Sequence, residues 1–127
     1  MEWKDASDIK VRIHQLVNGL EMKYIVPTRI ICFRSNGSTA RARARIWGFP
    51  RVWQQALNLE PHYVIEVLTE HFDKLSDDDQ TRVLIHELMH IPKSFSGALV
   101  PHSGRGHGIN NRTVEKLFKQ YKANFEL

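Results

Sequence analysis

The sequence predicts an α+β fold in which a small mixed sheet packs against a helix that carries two histidines. Two observations lead to this prediction. Segments with strand-like composition alternate with segments of helical periodicity, and the chain of 127 residues is 42% apolar and 25% charged. These values are typical of one globular domain with a single core, so residues 1–127 are predicted to form one domain.

The first half of the chain is predicted to contain one helix and two strands. Apolar residues between 9 and 20 recur at the spacing of one helical face. A short apolar run at 29–34 is typical of a strand, and an Asn-Gly turn then leads into a second strand at 40–47. Because such turns are typical of hairpins, we expect these two strands to pair with each other.

The second half is predicted to contain one more strand, at 63–68, and three helices, at 50–58, at about 77–90 and after residue 110. Ser76 begins the middle helix, because its hydroxyl can cap the first turn and the three acids after it suit the helix dipole. Pro92 ends this helix, because a proline disfavours helical geometry in the residue before it. The glycines and prolines that follow predict a long loop before the last helix.

The net charge of +4 conceals two blocks of opposite sign. Residues 22–59 contain seven basic residues and no acid, whereas residues 60–90 carry a net charge of −6. A basic block can contact phosphates or an acidic protein surface, so nucleic acid is a possible partner of residues 22–59. Trp47, Phe49 and Trp53 lie near these arginines and could stack on bases, but the preferred interpretation is that they are core aromatics.

The chain has one cysteine, Cys32, and this bears on the cellular compartment of the protein and on the kind of metal site that it can form. One thiol excludes an intramolecular disulfide and a cysteine-based zinc knuckle, and this favours a reducing, cytoplasmic setting. The charged start of the chain is unlike a secretory signal, and no apolar run reaches the ~18 residues that span a bilayer. We therefore expect no membrane association, and any metal must be held by His, Asp or Glu.

The pattern with clear chemical content is H-E-x-x-H, from His86 through Glu87 to His90. Residues four apart lie one above the other on a helix, so both imidazoles can bind one metal ion. Glu87 then lies beside the water that this metal activates, and it can take the proton of that water as a general base. Apolar residues on the same helix predict that it is largely buried, and buried histidines and glutamates need partners.

A catalytic zinc takes three protein ligands and one water, so a third ligand is needed. His102 is the preferred candidate, because the eleven-residue loop before it is long enough to fold back onto the helix end. His107, between two glycines, and Glu115, on the last helix, are the alternatives. A histidine that is not a ligand, Arg105 or, more weakly, Tyr63 could hydrogen-bond the oxyanion of a tetrahedral intermediate.

The segment from Ser76 to His102 resembles the SprT-like zincin metallopeptidases, in particular their short archaeal and phage members. In these proteins the H-E-x-x-H helix is followed, after a loop, by a Pro-His-Gly element whose histidine is the third ligand. Here Pro101-His102-Ser103 matches that element except that serine replaces the glycine. The resemblance implies a zincin-like fold and a set of site residues: His86, His90 and His102 as zinc ligands and Glu87 as general base.

The activity implied by the resemblance is a zinc-dependent metallopeptidase that hydrolyses peptide or protein substrates. Zincins bind the substrate as an added strand beside an edge strand, and residues 40–47 are the candidate edge. Two alternatives stay open at this point. One is a zinc-binding domain without catalysis, and the other is a basic nucleic-acid-binding module.

Overall fold

The computed structural model describes residues 1–103 and 108–125, and it contains one four-stranded mixed sheet and five helices. The elements in chain order are β1 (Glu2–Asp5), α1 (Ser7–Gly19), β2 (Ile30–Asn36), β3 (Ala44–Trp47), α2 (Arg51–Leu57), β4 (Tyr63–Leu68), α3 (Thr69–Phe72), α4 (Asp77–Met89) and α5 (Asn111–Phe125). The helices and strands expected from the sequence are present. The short elements β1 and α3 were not predicted.

The order of the strands across the sheet is β1-β2-β4-β3. β4 is parallel to β2 and antiparallel to β3, and β1 is antiparallel to β2. β4 has five buried residues of six, so both of its faces are covered, as is typical of a central strand. Among the described strands, β3 pairs with β4 alone and forms one edge of the sheet.

The predicted hairpin between residues 29–34 and 40–47 is wrong. The chain does turn at Gly37, whose φ is +80°, but β3 then pairs with β4, which lies between it and β2. The second strand is also shorter than predicted, because only Ala44–Trp47 is extended and paired. An Asn-Gly pair favours a local reversal, whereas the more apolar β4 provides the better buried partner for both strands.

The hydrophobic core lies between one face of the sheet and helices α1, α4 and α5. Alternate residues of the two inner strands point into it, as the strand period of two requires: Ile30, Cys32, Tyr63, Ile65 and Val67. The helices contribute residues of the apolar faces that the sequence predicted, namely Ile9, Ile13, Leu16, Val17, Leu84, Leu88, Val114 and Phe118, and also Ile85, which was not predicted. α4 is therefore fixed in the core along the side that does not carry its histidines.

The ends of α4 agree with the local signals in the sequence. The Ser76 hydroxyl accepts a hydrogen bond from the Asp79 amide at 3.1 Å, and His90 is the C-terminal cap, two residues before Pro92. Asn110 begins α5 in a similar way, since its side chain accepts from the Thr113 amide at 3.0 Å. Capping therefore fixes where the histidine-bearing helix begins and ends.

Two tryptophans are placed differently from the sequence-based interpretation. Trp47 and Trp53 are 48% and 56% exposed, so they are not core aromatics, and Phe49 is half-buried.

Cys32 is buried in the core, and burial raises the pKa of its thiol to about 11. Within the described ranges, no helix combines the length and apolarity that a bilayer crossing demands.

Candidate metal centre and adjoining cleft

α4 presents two histidines and a glutamate near its C-terminal end. His86 and His90 are one turn apart, and their ring centroids are separated by 5.2 Å. Glu87 lies between them in sequence, and its side chain is buried. The opposite side of this turn, at Leu84 and Leu88, is packed in the core. The polar groups are therefore held on one side of a helix that has little freedom to rotate.

His102 returns to this helix end from the loop that follows. Its ring centroid lies 4.5 Å from that of His90 and 5.1 Å from that of His86, and the Nε2 atoms of His86 and His102 are 3.1 Å apart. Each of the three histidines has a ligand atom within 4.8 Å of the others. Two imidazole nitrogens bound at ~2.0–2.1 Å to one tetrahedral ion lie about 3.4 Å apart, so the donor set fits a zinc-sized ion.

Backbone contacts hold the His90 ring in one tautomer. Its Nδ1 lies 2.6 Å from the Val100 carbonyl oxygen, and the Val100 amide donates to the His90 carbonyl at 2.7 Å. A carbonyl oxygen only accepts, so Nδ1 carries the proton and Nε2 keeps a free lone pair. Such a contact to the second nitrogen is the usual way in which proteins orient a metal-binding imidazole. It also fixes Val100 two residues before His102.

The loop between α4 and His102 is tied down by the hydroxyl of Tyr63. This hydroxyl accepts from the Gly97 amide and donates to the Ala98 carbonyl, each at 2.8 Å. On its other side the loop binds the chain before α2, since the Phe49 amide donates to the Gly97 carbonyl at 2.8 Å. Gln54 adds hydrogen bonds from its side chain to the carbonyls of Phe49 and Ser96.

Gly97 is required by this close packing. Its φ is +92°, which disfavours any residue with a Cβ, and a Cβ there would collide with the Phe49 carbonyl oxygen. Phe95, two residues earlier, also has a positive φ, and its ring packs edge-on against Tyr63 at 5.1 Å. The path of the loop is therefore set by contacts with β4 and with the chain before α2.

The surroundings favour the neutral form of the site residues. Burial, and then the charges of neighbouring histidines, lower the pKa of His86. Burial also lowers the pKa of His90, against the hydrogen bond to Val100, which raises it. Burial raises the pKa of Glu87 to about 8, and no described residue donates a hydrogen bond to its carboxylate. Neutral imidazoles are the form that binds metal.

A cleft of about 450 Å³ adjoins the histidine cluster. Its walls are one side of α4 along most of its length, the start of β3 and the start of α5, and the residues that line it include Arg43, Ala44, Val83, His86, Glu87 and Asn111. Glu87 and His86 therefore face a space large enough for part of an extended peptide. The start of β3 lies on the wall of the same space, at Ala44.

The other residues singled out in the sequence are placed as follows. Glu115 lines the cleft, but its carboxylate accepts from Arg82 at 2.9 Å, and it is not part of the histidine cluster in the described residues. The Tyr63 hydroxyl is occupied by the loop and does not face the cleft in the way an oxyanion donor would. His107 and Arg105 lie outside the described residues.

The groups that position the site were not predicted from the sequence. Neither the hydrogen bond from His90 to the Val100 carbonyl nor those between the Tyr63 hydroxyl and the loop were expected. A backbone carbonyl and a tyrosine in a strand form no sequence motif that would predict these contacts. The one available signal was Gly97 itself, a glycine inside the loop between the motif and the third histidine. It indicated a close approach of backbone, although not the partner.

Comparison with known proteins gives one family. The family model described as "Putative phage metallopeptidase" matches residues 1–122, which is nearly the whole chain. No curated protein and no solved structure is significantly similar to the chain. A metallopeptidase requires a metal ion, and the three clustered histidines could bind one.

Proposed function

Because the chain belongs to the Putative phage metallopeptidase family, we propose that it is a zinc-dependent peptidase whose metal is held by His86, His90 and His102. The observation that carries the proposal is the convergence of these three imidazoles beside the buried carboxylate of Glu87. Three nitrogen ligands leave one position of a tetrahedral ion for water, as in catalytic zinc sites. Zinc bound there would lower the pKa of a water molecule and polarise a substrate carbonyl.

Glu87 acts as the general base in this proposal. Its carboxylate lines the cleft, next to a ligand but outside the ligand set, so it can accept a proton from water and later pass it to the leaving amine.

The substrate is a peptide segment in extended conformation. β3 is an edge strand that begins at the wall of the cleft, and its backbone can pair with an added strand. Ala44 on this strand lines the same cleft as His86 and Glu87, so a paired peptide would pass the histidine cluster. The proposal also includes three predictions made from the sequence. They are that residues 1–127 form one zincin-like domain, that the protein is related to the SprT-like metallopeptidases, and that it acts in the cytoplasm.

The first test removes the base and keeps the ligands. Glu87→Gln preserves the shape of the side chain, so we expect the protein to fold and to bind one zinc per chain. Peptide hydrolysis should fall by at least about 100-fold, because proton transfer is lost. The measurement is turnover of unfolded casein together with metal content by native mass spectrometry. Equal turnover by wild type and variant would refute the assignment of Glu87.

The second test removes the ligands one at a time. His86→Ala, His90→Ala and His102→Ala should each weaken zinc binding by orders of magnitude, because each removes a direct bond. His14→Ala, on α1, is the matched control and should bind zinc as wild type does. Chelator competition gives the affinities. If Glu115→Gln lost zinc while His102→Ala kept it, the third ligand would have to be reassigned.

A further inference from the structure

The cleft beside the histidine cluster has charged residues on two of its walls. Asp79, Arg82 and Glu115 line it from α4 and α5, whereas Arg43 lines it from the chain that leads into β3. A peptide that lies in the cleft, as the proposed function requires, would meet both groups of charges. The way in which each group is paired within the protein decides which side chains of a peptide it favours.

The charges on the helical wall are paired with one another. Arg82 donates from Nε to the Glu115 carboxylate and from Nη1 to the Asp79 carboxylate, each at 2.9 Å, and its guanidinium stacks over the Phe118 ring at 4.0 Å. One guanidinium thus serves two carboxylates, so these three charged residues carry a net charge of −1. An acidic side chain of a peptide would be repelled here rather than bound.

Arg43 on the strand wall is a free cation. It is exposed, and among residues 1–103 and 108–125 no acidic side chain forms an ion pair with it. Arg45, two residues later, differs, because its guanidinium is bound to the buried Glu66 at 2.9 Å. The backbone of Arg43 is nevertheless fixed, since its carbonyl accepts from the Leu68 amide of β4 at 3.0 Å. The charge is therefore available to a ligand and is anchored at a defined point of the cleft wall.

The backbone geometry of β3 places Arg43 next to the edge at which a peptide would pair. In an antiparallel pair, successive residues direct their backbone groups alternately towards the partner strand and away from it. Arg43 is bonded to Leu68 of β4, so the N–H and C=O groups of Ala44 are directed towards the edge of the sheet. A peptide strand added at this edge would pair with Ala44, which lines the same cleft as His86. A side chain of that peptide beside Ala44 would lie within reach of the long Arg43 side chain.

The mixed charges of the cleft separate the possible occupants. A nucleic acid carries a phosphate at every nucleotide, so its phosphates would meet the carboxylates of Asp79 and Glu115 as well as the one free arginine. A peptide can carry a single carboxylate and place it at Arg43 alone. The planar guanidinium of arginine matches a carboxylate with two parallel hydrogen bonds, which makes this pairing specific.

We propose that Arg43 is a specificity-determining residue of the cleft, and that it selects peptides with an Asp or Glu side chain at one position near the cleaved bond. This inference rests on the proposed peptidase function, whose substrate class it narrows. The selection is positional, because among the described lining residues Arg43 is the unpaired cation, whereas Arg82 is bound to two acids. A peptide with acidic residues throughout is therefore not the preferred substrate.

The test uses twelve-residue peptides of Ala, Ser, Gln and Leu, with one dye at the N-terminus, in which one of the six central positions is Asp, Ala or Lys. Mass spectrometry of the products gives the cleaved bond and the value of kcat/KM for the zinc-loaded protein. Because the cleaved bond fixes the register of the peptide, the preference should appear at one position relative to that bond. There the Asp peptide should be cleaved about fivefold faster than the Ala peptide, as expected of an exposed ion pair, and the Lys peptide should be slower still.

Two variants assign this preference to one residue. Arg43→Glu should reverse the order of the Asp and Lys peptides at that position and at no other, because it replaces the free cation with a carboxylate. Arg51→Glu makes the same change of charge at an exposed residue of α2 that lines a different depression, and it should keep the wild-type order. Circular dichroism and native mass spectrometry check that both variants fold and hold zinc. The peptides are compared within each protein, so a change in overall rate does not affect the result.

Binding is measured separately, so that the inference and the proposed function can fail independently. Fluorescence anisotropy with the Glu87→Gln protein gives the affinities of the same peptides without cleavage. Asp peptides should bind more tightly than Lys peptides, the difference should shrink as salt is added, and Arg43→Glu in the same background should reverse it. This result in a protein that cleaves no peptide would support the role of Arg43 and overturn the peptidase assignment.

Two other outcomes would overturn the inference. If wild type and Arg43→Glu cleaved the peptides with the same ratio of Asp to Lys rates at every position, Arg43 would have no role in selection and the peptidase assignment would stand. If no peptide were cleaved and the affinities did not depend on Arg43, both the inference and the proposed function would be wrong.

Discussion

The hydroxyl of Tyr63 makes two contacts that bear on the site without touching it. Tyr63→Phe removes its hydrogen bonds to Gly97 and Ala98 while keeping the ring that packs on Phe95. Because the buried Gly97 amide is left without a partner, the free energy of unfolding should fall by about 1–2 kcal/mol. The loop before His102 should also loosen, so zinc affinity should fall by roughly tenfold.

Urea unfolding and chelator competition measure these two effects. Tyr24→Phe is the matched control, since the Tyr24 hydroxyl makes no hydrogen bond to any described residue. A Tyr63→Phe protein that loses stability but binds zinc as wild type does would show that the hydrogen bonds of the Tyr63 hydroxyl have no role in placing His102.

The residues of the site differ in how far the sequence alone could predict them. His86, Glu87 and His90 follow from a local rule, because helical spacing places them together wherever the helix packs. For His102 the local signals were the length of the loop before it and the neighbouring Pro101, and the choice among three candidates depended on where that loop runs. The course of the loop is set by Tyr63, which is adjacent in space but distant in sequence, so no local pattern contains it.

Among the strands, Glu66 of β4 forms the contacts that hold the edge. It is 0% exposed, and it accepts hydrogen bonds from Ser35 on β2 and from Arg45 and Trp47 on β3, at 2.5–3.2 Å. Burial alone would raise the pKa of this carboxyl, but the three donors outweigh it and lower the pKa to about 2. One carboxylate thus joins three strands, including the edge strand beside the cleft.

Glu66→Gln should destabilise the protein, because it removes the charge that these donors favour. A carboxyl with a folded-state pKa below its ordinary value of 4.5 contributes stability above that value. This contribution, about 3 kcal/mol at neutral pH, is lost as the pH falls from about 4.5 towards 2. The variant should lack this part of the acid dependence.

Urea unfolding at a series of pH values from 7 to 3 measures the difference. Glu21→Gln, at an exposed position after α1, is the control and should follow wild type. If the free energies of unfolding of wild type and Glu66→Gln changed in parallel between pH 7 and pH 3, the role given to Glu66 would be contradicted.

The elements themselves were easier to predict than their pairing. Ser76, Pro92 and the apolar periodicity act within a few residues, so the bounds of α4 follow from the sequence. Strand pairing depends on which strand can be buried on both faces. The apolar β4 meets this condition and lies between β2 and β3, although it is not one of the two strands that flank the Asn-Gly turn. The exposure of Trp47 depends likewise on which residues pack beside it in the fold, which composition does not reveal.

At the scale of the whole molecule, the histidine cluster joins α4 to the end of the loop that follows it. His86 and His90 belong to a helix in the core, whereas His102 follows a loop that is tied to β4 and to the chain before α2. A ligand that binds only the folded state stabilises it by mass action, by about 2.7 kcal/mol at 100 times the dissociation constant. For a domain of this size, that corresponds to a rise in Tm of roughly 10 °C.

Thermal unfolding followed by circular dichroism, with zinc, after removal of zinc by EDTA and after zinc is restored, measures this effect. The Tm should fall on removal and recover on addition. His102→Ala should show a much smaller difference, since its affinity for zinc is lower. An unchanged Tm in a protein whose metal content has been shown to change would contradict a shared site across these segments.

The buried thiol of Cys32 makes this protein convenient for site-specific labelling. With a pKa of about 11, roughly one thiol in three thousand is ionised at pH 7.5, and the sulfur is also shielded by the core. Maleimide reagents should therefore leave the native wild-type protein unlabelled. A cysteine introduced at the exposed Ser103 would then be the only reactive thiol, and a dye attached there would report movements of the chain next to His102.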